Sequence, residues 1–461
     1  MKLNYSRVLL VGMAFFLISA FWQAYDAITP LILTNHFGLP QSVSGTIMSI
    51  DNVLAVFLLP IFGAISDKKN TRFGKRTPFI FFGTIAAVIS FIGLTFVDNY
   101  QLARVVAKGI PNMPQGDLVR ETTLKLTLEN PWPLIGFIAT LLVVLIAMAT
   151  FRSPAVALMP DVTVKPLRSK ANAIINLTGT AGGIIVLILG MVFATSKNLY
   201  MEYTGYVLAV CAVMLLGFIV FLLTVKEKKW AEEMEQDTIK YGLEQPEAVA
   251  AENNTKNKLS KSEFSSLLLI LASVALWYIG YNSITSKYSV YATNVLEIDY
   301  NFTLILAQAA AIVSYIPVGM IASKIGRRKT ILAGVLILAT AFTIGIFIPK
   351  GANPIIMYPV FALAGIGWAT INVNSFPMVV ELAKRGDTGK YTGYYYTASM
   401  SAQIVAPILS GVLYDAIGMR YVFFTFGAVF VLFSFVTMFF VKHGDSKPLK
   451  AQSKLEQLDV D

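Results

Sequence analysis

The chain has 461 residues, 56 % hydrophobic and only 14 % charged, against about 25 % charged in ordinary soluble domains. So much apolar surface needs lipid rather than a larger core, which excludes a water-soluble enzyme. The net charge of +10 sits in short clusters between long apolar runs, the pattern of loops facing an anionic leaflet and not of a nucleic-acid-binding surface.

A hydrocarbon layer about 30 Å thick needs about 20 apolar residues in a helix rising 1.5 Å per residue. Twelve stretches qualify: residues 8–31, 43–66, 77–97, 133–157, 171–194, 203–225, 264–287, 301–323, 330–348, 354–381, 391–415 and 421–442. Lys2 and Arg7 precede the first, as in a secretory signal. That run is too long for one, carries Asp26 and ends at Thr29-Pro30 without a small-residue cleavage site, so it reads as an uncleaved span. Most of the 37 Lys and Arg residues fall in segments on the same side as both termini. The positive-inside rule therefore puts both termini in the cytoplasm of a multi-pass protein of the inner or plasma membrane.

Residues 98–132 mix Arg104, Lys108, Arg120 and Lys125 with Asp98, Asp117, Glu121 and Glu129, and read as a short surface element rather than a further span. Residues 226–263, opening KEKKWAEEMEQ, are polar, mixed in charge and poor in aliphatics. They read as a cytoplasmic linker between two six-helix bundles, 1–225 and 264–442, with 443–461 a disordered cytoplasmic tail. The lone Cys211 excludes an internal disulfide, and His36 and His443 lie at opposite ends of the chain, so no metal cluster and no cofactor is expected.

The halves echo each other. The loop after the second span runs Gly63-Ala-Ile-Ser-Asp67 and then Arg72-Phe-Gly74-Lys75-Arg76. The loop after the eighth runs Gly319-Met-Ile-Ala-Ser323-Lys324-Ile-Gly326-Arg327-Arg328-Lys329. A second echo sets Asp161 and Arg168 after the fourth span against Glu381, Lys384 and Arg385 after the tenth. Duplication of this kind builds a midplane site between two rocking bundles.

These loops resemble the major facilitator superfamily, over the whole chain. Within it, Pro60-Ile-Phe-Gly63-Ala-Ile-Ser66-Asp67, four residues, then Arg72-Phe73-Gly74-Lys75-Arg76-Thr77-Pro78-Phe79-Ile80 resembles the sucrose-transporter branch. Thr29-Pro30, Ala157-Leu158-Met159-Pro160-Asp161 and Ala171-Asn172-Ala173 are similar too, so this finer likeness is concentrated in the first half. The neighbouring glycoside-pentoside-hexuronide cation symporters carry acids on the second span just before the position of Pro60, where this chain has Ala55 and Leu59. The plant pattern's acid in the middle of the fourth span, near Leu145, is also missing. The resemblance implies an all-α membrane protein of twelve transmembrane helices in two six-helix pseudo-repeat halves. It implies a secondary active transporter that imports a sugar, a disaccharide or other glucoside, with a proton rather than sodium. No G-x-x-x-x-G-K-[ST] loop is present, which argues against ATP-driven transport.

Ionisable residues inside spans cost about 2.5–3.5 kcal/mol each at the membrane centre and so mark function or a paired contact. Asp26 lies on a helix face with Ser19, Gln23 and Pro30, which should line a cavity. By rise per residue, Asp51 is within about 5 Å of its depth, Arg152 is about 20 Å deeper, and Lys287 is the better match. Asp26, Asp51 and Lys287 are therefore the candidates for cation coupling or gating, with helix packing the simpler reading of Asp51. Arg152 has three readings: a substrate ligand, an inner gate with Asp161, or a snorkelling side chain.

A sugar site needs amides or charges for its hydroxyls and flat aromatics for its C–H faces. Gln23, Arg152, Asn172, Asn176, Tyr281, Gln308, Trp368, Asn372, Tyr396 and Gln403 supply both kinds on span faces, although membrane Asn and Ser also glue helices at about 0.6 kcal/mol each. Asp67, Arg72, Arg76 and Asp161 suit a cytoplasmic gate. Ser323 stands where the second half would need the matching acid, so its gate should be weaker. The partners expected are thus a small solute, a co-transported H+ and the lipid bilayer, with no nucleic acid. Export of another organic solute, or a transporter-fold sensor acting through residues 226–263, are the alternatives.

Overall fold

The computed structural model describes residues 3–444 except 70, 115, 165–166, 241–259, 352 and 383–387. In chain order the helices are α1 (Tyr5–Leu31), α2 (Gln41–Asp67), α3 (Thr77–Ala107), α4 (Asp117–Glu129), α5 (Trp132–Val162), α6 (Arg168–Val192), α7 (Thr204–Thr224) and α8 (Glu227–Lys240). There follow α9 (Lys261–Thr285), the short α10 (Tyr288–Val290), α11 (Tyr300–Ile325), α12 (Arg327–Ile346), α13 (Met357–Glu381), α14 (Thr388–Ile417) and α15 (Met419–Phe439). Eleven of these are long and apolar enough to cross a bilayer; α11, 26 residues long and apolar over Tyr300–Tyr315, is the twelfth. Side chains such as Leu223 (77 % exposed) and Phe82 (69 %) point outward, where only hydrocarbon could accept a belt of this composition.

Local chemistry sets the helix ends. Asn4 accepts from the Arg7 N–H to cap α1, Asp299 from Asn301 to cap α11, and Ser260 with Glu263 forms a capping box on α9. Pro30 does not close α1, contrary to the sequence reading. The chain widens into a π turn over Ile32–His36, and such local adjustment is how membrane helices accommodate the carbonyl a proline leaves unbonded.

The six long helices of each half pack in the same pattern. α1 lies against α6 and α7 as α9 lies against α14 and α15, and α3 lies against α5 as α12 lies against α13. Each half buries its own apolar faces this way, and the halves meet along two seams, α2 on α14 and α6 on α11. At the first seam the backbones nearly touch: a Cβ on Gly45 would fall 2.1 Å from the Pro407 carbonyl oxygen, and one on Gly411 2.5 Å from that of Gln41. Both seams lie toward one end of the bundle, here the far face. The opposite end, where α1 begins and α15 ends, is the termini face.

Two further sequence expectations change. The third span continues to Ala107, leaving α4 as the surface element of 98–132. The segment expected as linker begins with a helix, α8, that packs on α5. Its periodicity was masked because only two of its residues, Glu227 and Trp230, are buried. Residues 241–259 of that segment, most of the tail, and Lys384 and Arg385 lie outside the described residues.

Candidate functional site

Between the halves, at mid-depth, lies a cavity of two lobes with a common wall. The larger, about 470 Å³, is fronted by Gln23 and Thr180 from one half and Tyr281, Gln308, Tyr315 and Trp368 from the other. The smaller, about 190 Å³, is fronted by Asp51, Asn52 and Arg152 from one half and Asn282 and Gln403 from the other. Trp22, Asp26 and Thr285 line both.

The α1 stripe explains the wall. Ser19, Gln23 and Asp26 share a helix face and all three line the larger lobe. Gln308 donates its Nε2–H to Gln23 Oε1 at 2.7 Å, a direct amide clasp between the halves. In the same lobe, the Tyr281 and Trp368 rings stack at 3.7 Å and 7°, which makes one rigid aromatic platform. In the smaller lobe the Arg152 guanidinium lies over the Trp22 ring at 5.5 Å and faces Asp51. Asn52 donates to Asp51 Oδ1 at 2.8 Å and so orients it.

The placement of Arg152 overturns the depth argument. It shares a lobe with Asp26 and Asp51 because α5 runs on to Val162, which leaves Arg152 ten residues, about 15 Å, from the helix end. The long arginine stem covers the remaining distance. Lys287, by contrast, does not reach Asp26. α9 ends at Thr285, and the turn that follows swings Lys287 (0 % exposed) to the start of α2, where Nζ donates to Ser44 Oγ at 2.5 Å. The carboxylate it faces is Asp415.

Asn172, Asn176, Asn372 and Tyr396 line neither lobe; they sit farther toward the termini face on α6, α13 and α14. Asn52, Asn282, Thr285 and Tyr315 do line the cavity and escaped the sequence reading. Asn282 was the most legible of them, a polar residue next to Tyr281 near the end of a span.

At the termini face, Arg76 (5 % exposed) donates Nε–H to Asp161 at 2.7 Å and bonds Asp67 and Ser66 as well. Burial works against its charge, but the hydrogen bonds and charges of Asp161 and Asp67 outweigh that and raise its pKa. Arg72 does not join the cluster; it lies over the Phe73 ring at 4.6 Å. The first turn of α3 is capped from α8: Glu227 accepts from the Lys75, Arg76 and Thr77 N–H groups at 2.6, 2.8 and 2.8 Å and from the Thr77 hydroxyl at 2.7 Å. Gly74, at φ +117°, leaves no room for a Cβ beside that carboxylate. The second half, expected to lack a matching acid, pairs Arg327 with Glu381 at 2.7 Å. The acid comes from the end of α13 rather than from the position of Ser323.

At the far face the contacts cross between the halves. Asp415 of α14 accepts from the Gln41 and Ser42 N–H groups, each at 2.8 Å, and from the Ser42 hydroxyl at 2.7 Å. α2 begins after Pro40 with no side-chain cap of its own, so its N-terminus is capped by the other half. Arg120 of α4 approaches the same carboxylate at 3.7 Å, and Asn294 donates to Asn35 at 2.6 Å.

The sequence matches the Major Facilitator Superfamily over residues 11–313 and 294–459. Among curated proteins it is 22 % identical over 369 residues to the isoprimeverose transporter of Lactiplantibacillus pentosus, covering 78 % of this chain and 67 % of that one. It is 35 % identical over 72 residues to the human proton-associated sugar transporter A, covering 16 % of this chain and only 9 % of that protein's length. The fold superposes on the inward-open xylose transporter XylE from E. coli with a TM-score of 0.63 at 14 % identity, covering 99 % of both chains. It superposes on a bacterial homologue of the iron transporter ferroportin with a TM-score of 0.68 at 13 % identity, covering 95 % and 99 %. With duplicated six-helix halves around a two-sided polar cavity, the chain belongs to the Major Facilitator Superfamily and is a multi-pass membrane transporter, not an enzyme.

Proposed function

We propose that the protein is a proton-coupled sugar symporter, taking a disaccharide or other glucoside into the cell by alternating access of the bundles 1–225 and 264–442. In this reading 226–263 links the bundles, 443–461 is a tail, and the termini face is cytoplasmic. The observation that carries the proposal is Asp26, the acid on the wall common to an amide-and-aromatic lobe and a charged one. A carboxylate there contacts whatever fills the larger lobe, so protonation and solute binding act on each other through one group.

The amide clasp Gln23–Gln308 and the Tyr281–Trp368 platform are the two chemistries a pyranose requires, paired hydrogen bonds and a flat apolar face. The names of the isoprimeverose transporter and of proton-associated sugar transporter A point the same way. Asp51 and Arg152 line the smaller lobe beside Asp26. Arg76, Asp67 and Asp161 hold the cytoplasmic end of the first bundle.

Uptake of labelled sucrose or maltose into proteoliposomes tests the proposal. An imposed pH gradient, acidic outside, should drive accumulation, and Asp26→Asn should abolish accumulation while sparing sugar exchange. Flux that ignores the pH gradient and follows a sodium gradient would overturn the coupling assignment.

A further inference from the structure

Resting on the sugar reading, we infer that the smaller lobe is a second sugar-ring subsite, so that the cavity selects a two-ring glycoside over a single ring, and that Asn282 is one of its ligands. The lobe's volume, about 190 Å³, is below the range of about 300–1,000 Å³ for sites that hold a whole small ligand. The larger lobe, at about 470 Å³, is within it. The two adjoin across Trp22, Asp26 and Thr285, so a two-ring molecule that displaces those side chains would occupy both.

The polar groups of the smaller lobe have bonding capacity to spare. Arg152 presents guanidinium donors that make no hydrogen bond to another described residue; its neighbours are the Trp22 ring and the Asp51 charge. Among the described residues, Asn282 uses one Nδ2–H on the Tyr278 carbonyl at 2.9 Å, and Gln403 reaches only the Ser399 carbonyl at 3.4 Å. Their amide oxygens remain open to a donor. On the dividing wall, the Trp22 Nε1–H is buried and has no hydrogen-bond acceptor among the described residues. Buried donors of that kind are rarely left unmade.

A lobe serving only a proton needs the carboxylates and nothing more. Amide oxygens beside a guanidinium and a carboxylate make a donor-and-acceptor set suited to vicinal hydroxyls. The set also straddles the halves, with Asp51 and Arg152 on one side and Asn282 and Gln403 on the other. A ring held there touches both bundles, whereas a molecule confined to the larger lobe leaves this part of the interface to water.

The test compares KM values for maltose and for methyl glucoside in proteoliposomes, in the wild type, Asn282→Ala, Gln403→Ala and Tyr281→Ala. In the wild type the maltose KM should be about tenfold lower, the difference one or two added hydrogen bonds make. Asn282→Ala should close that gap by raising the maltose KM about tenfold, with the methyl glucoside KM unchanged within about twofold; Tyr281→Ala should raise both. Gln403→Ala repeats the measurement at a second residue on the same side of the lobe should Asn282→Ala misfold, and methyl glucoside transport by each variant certifies its fold. Equal wild-type KM values for the two sugars, or a parallel rise of both in Asn282→Ala and Gln403→Ala, would overturn the subsite while leaving sugar transport standing. Transport of neither sugar by the wild type would overturn the sugar reading and the subsite together.

Discussion

Two carboxylates cap helices they do not belong to. Asp415 caps α2 from the other half of the molecule, while Glu227 caps α3 from within its own half. The chemistry is the same, a carboxylate accepting the unpaired N–H groups of a first helical turn, where the helix dipole favours negative charge. The consequences differ because, of the two, only the far-face contact spans the boundary between the halves, which the proposed alternating access would open. Contacts across the seam set the balance between conformations, and contacts inside a bundle set its rigidity.

Substitutions can break that contrast, and the largest effect is expected at the seam itself. Gly45→Leu puts a side chain where the Pro407 carbonyl already lies 2.1 Å from a bare Cβ position. Overpacking of this sort costs about 1–3 kcal/mol or more, enough to move a conformational ratio by about ten- to a hundredfold toward the far-face-open state. The readout is maleimide labelling, from the far side, of a cysteine introduced at Ser289, which lines the cavity; Cys211 is buried and gives little background. Unchanged labelling would mean the α2–α14 approach does not control closure.

Asp415→Ala comes next. Loss of a helix cap costs about 0.5–2 kcal/mol, so the same labelling should rise by several-fold to about thirtyfold, with thermal stability nearly unaffected. The smallest shift belongs to Glu227→Gln, which keeps an acceptor but loses the charge. It should lower the melting temperature in detergent by an amount matching about 1 kcal/mol and leave Ser289→Cys labelling as in the parent. If Glu227→Gln altered labelling as strongly as Asp415→Ala, the division between seam and bundle contacts would be wrong.

How much of this was legible in the sequence follows from the range of each interaction. The twelve apolar runs and the α1 stripe of Ser19, Gln23 and Asp26 are local periodicities, and both are realised in the fold. The roles of Asp415 and Glu227 were not readable, since their partners lie 374 and 152 residues away in the chain. Nor could the depth of Arg152 be judged by counting residues, because α5 overruns the hydrophobic stretch that marks its span. Lys287 shows the same weakness in another form: matching depth says nothing about direction, and the turn after Thr285 points it to Ser44. Gln23 and Gln308, picked out separately as polar residues in apolar runs, turned out to bond each other.

The anchoring of α8 changes the mechanics of the covalent connection between the bundles. Glu227, the Arg7–Glu233 ion pair at 2.5 Å and the Arg7 guanidinium over Trp230 tie α8 to the first bundle, so the tether proper runs only from Lys240 to Ser260. Roughly 20 residues can reach at most about 70 Å. Chain length alone therefore sets no limit on how far the bundles part, and α8 travels with the first of them.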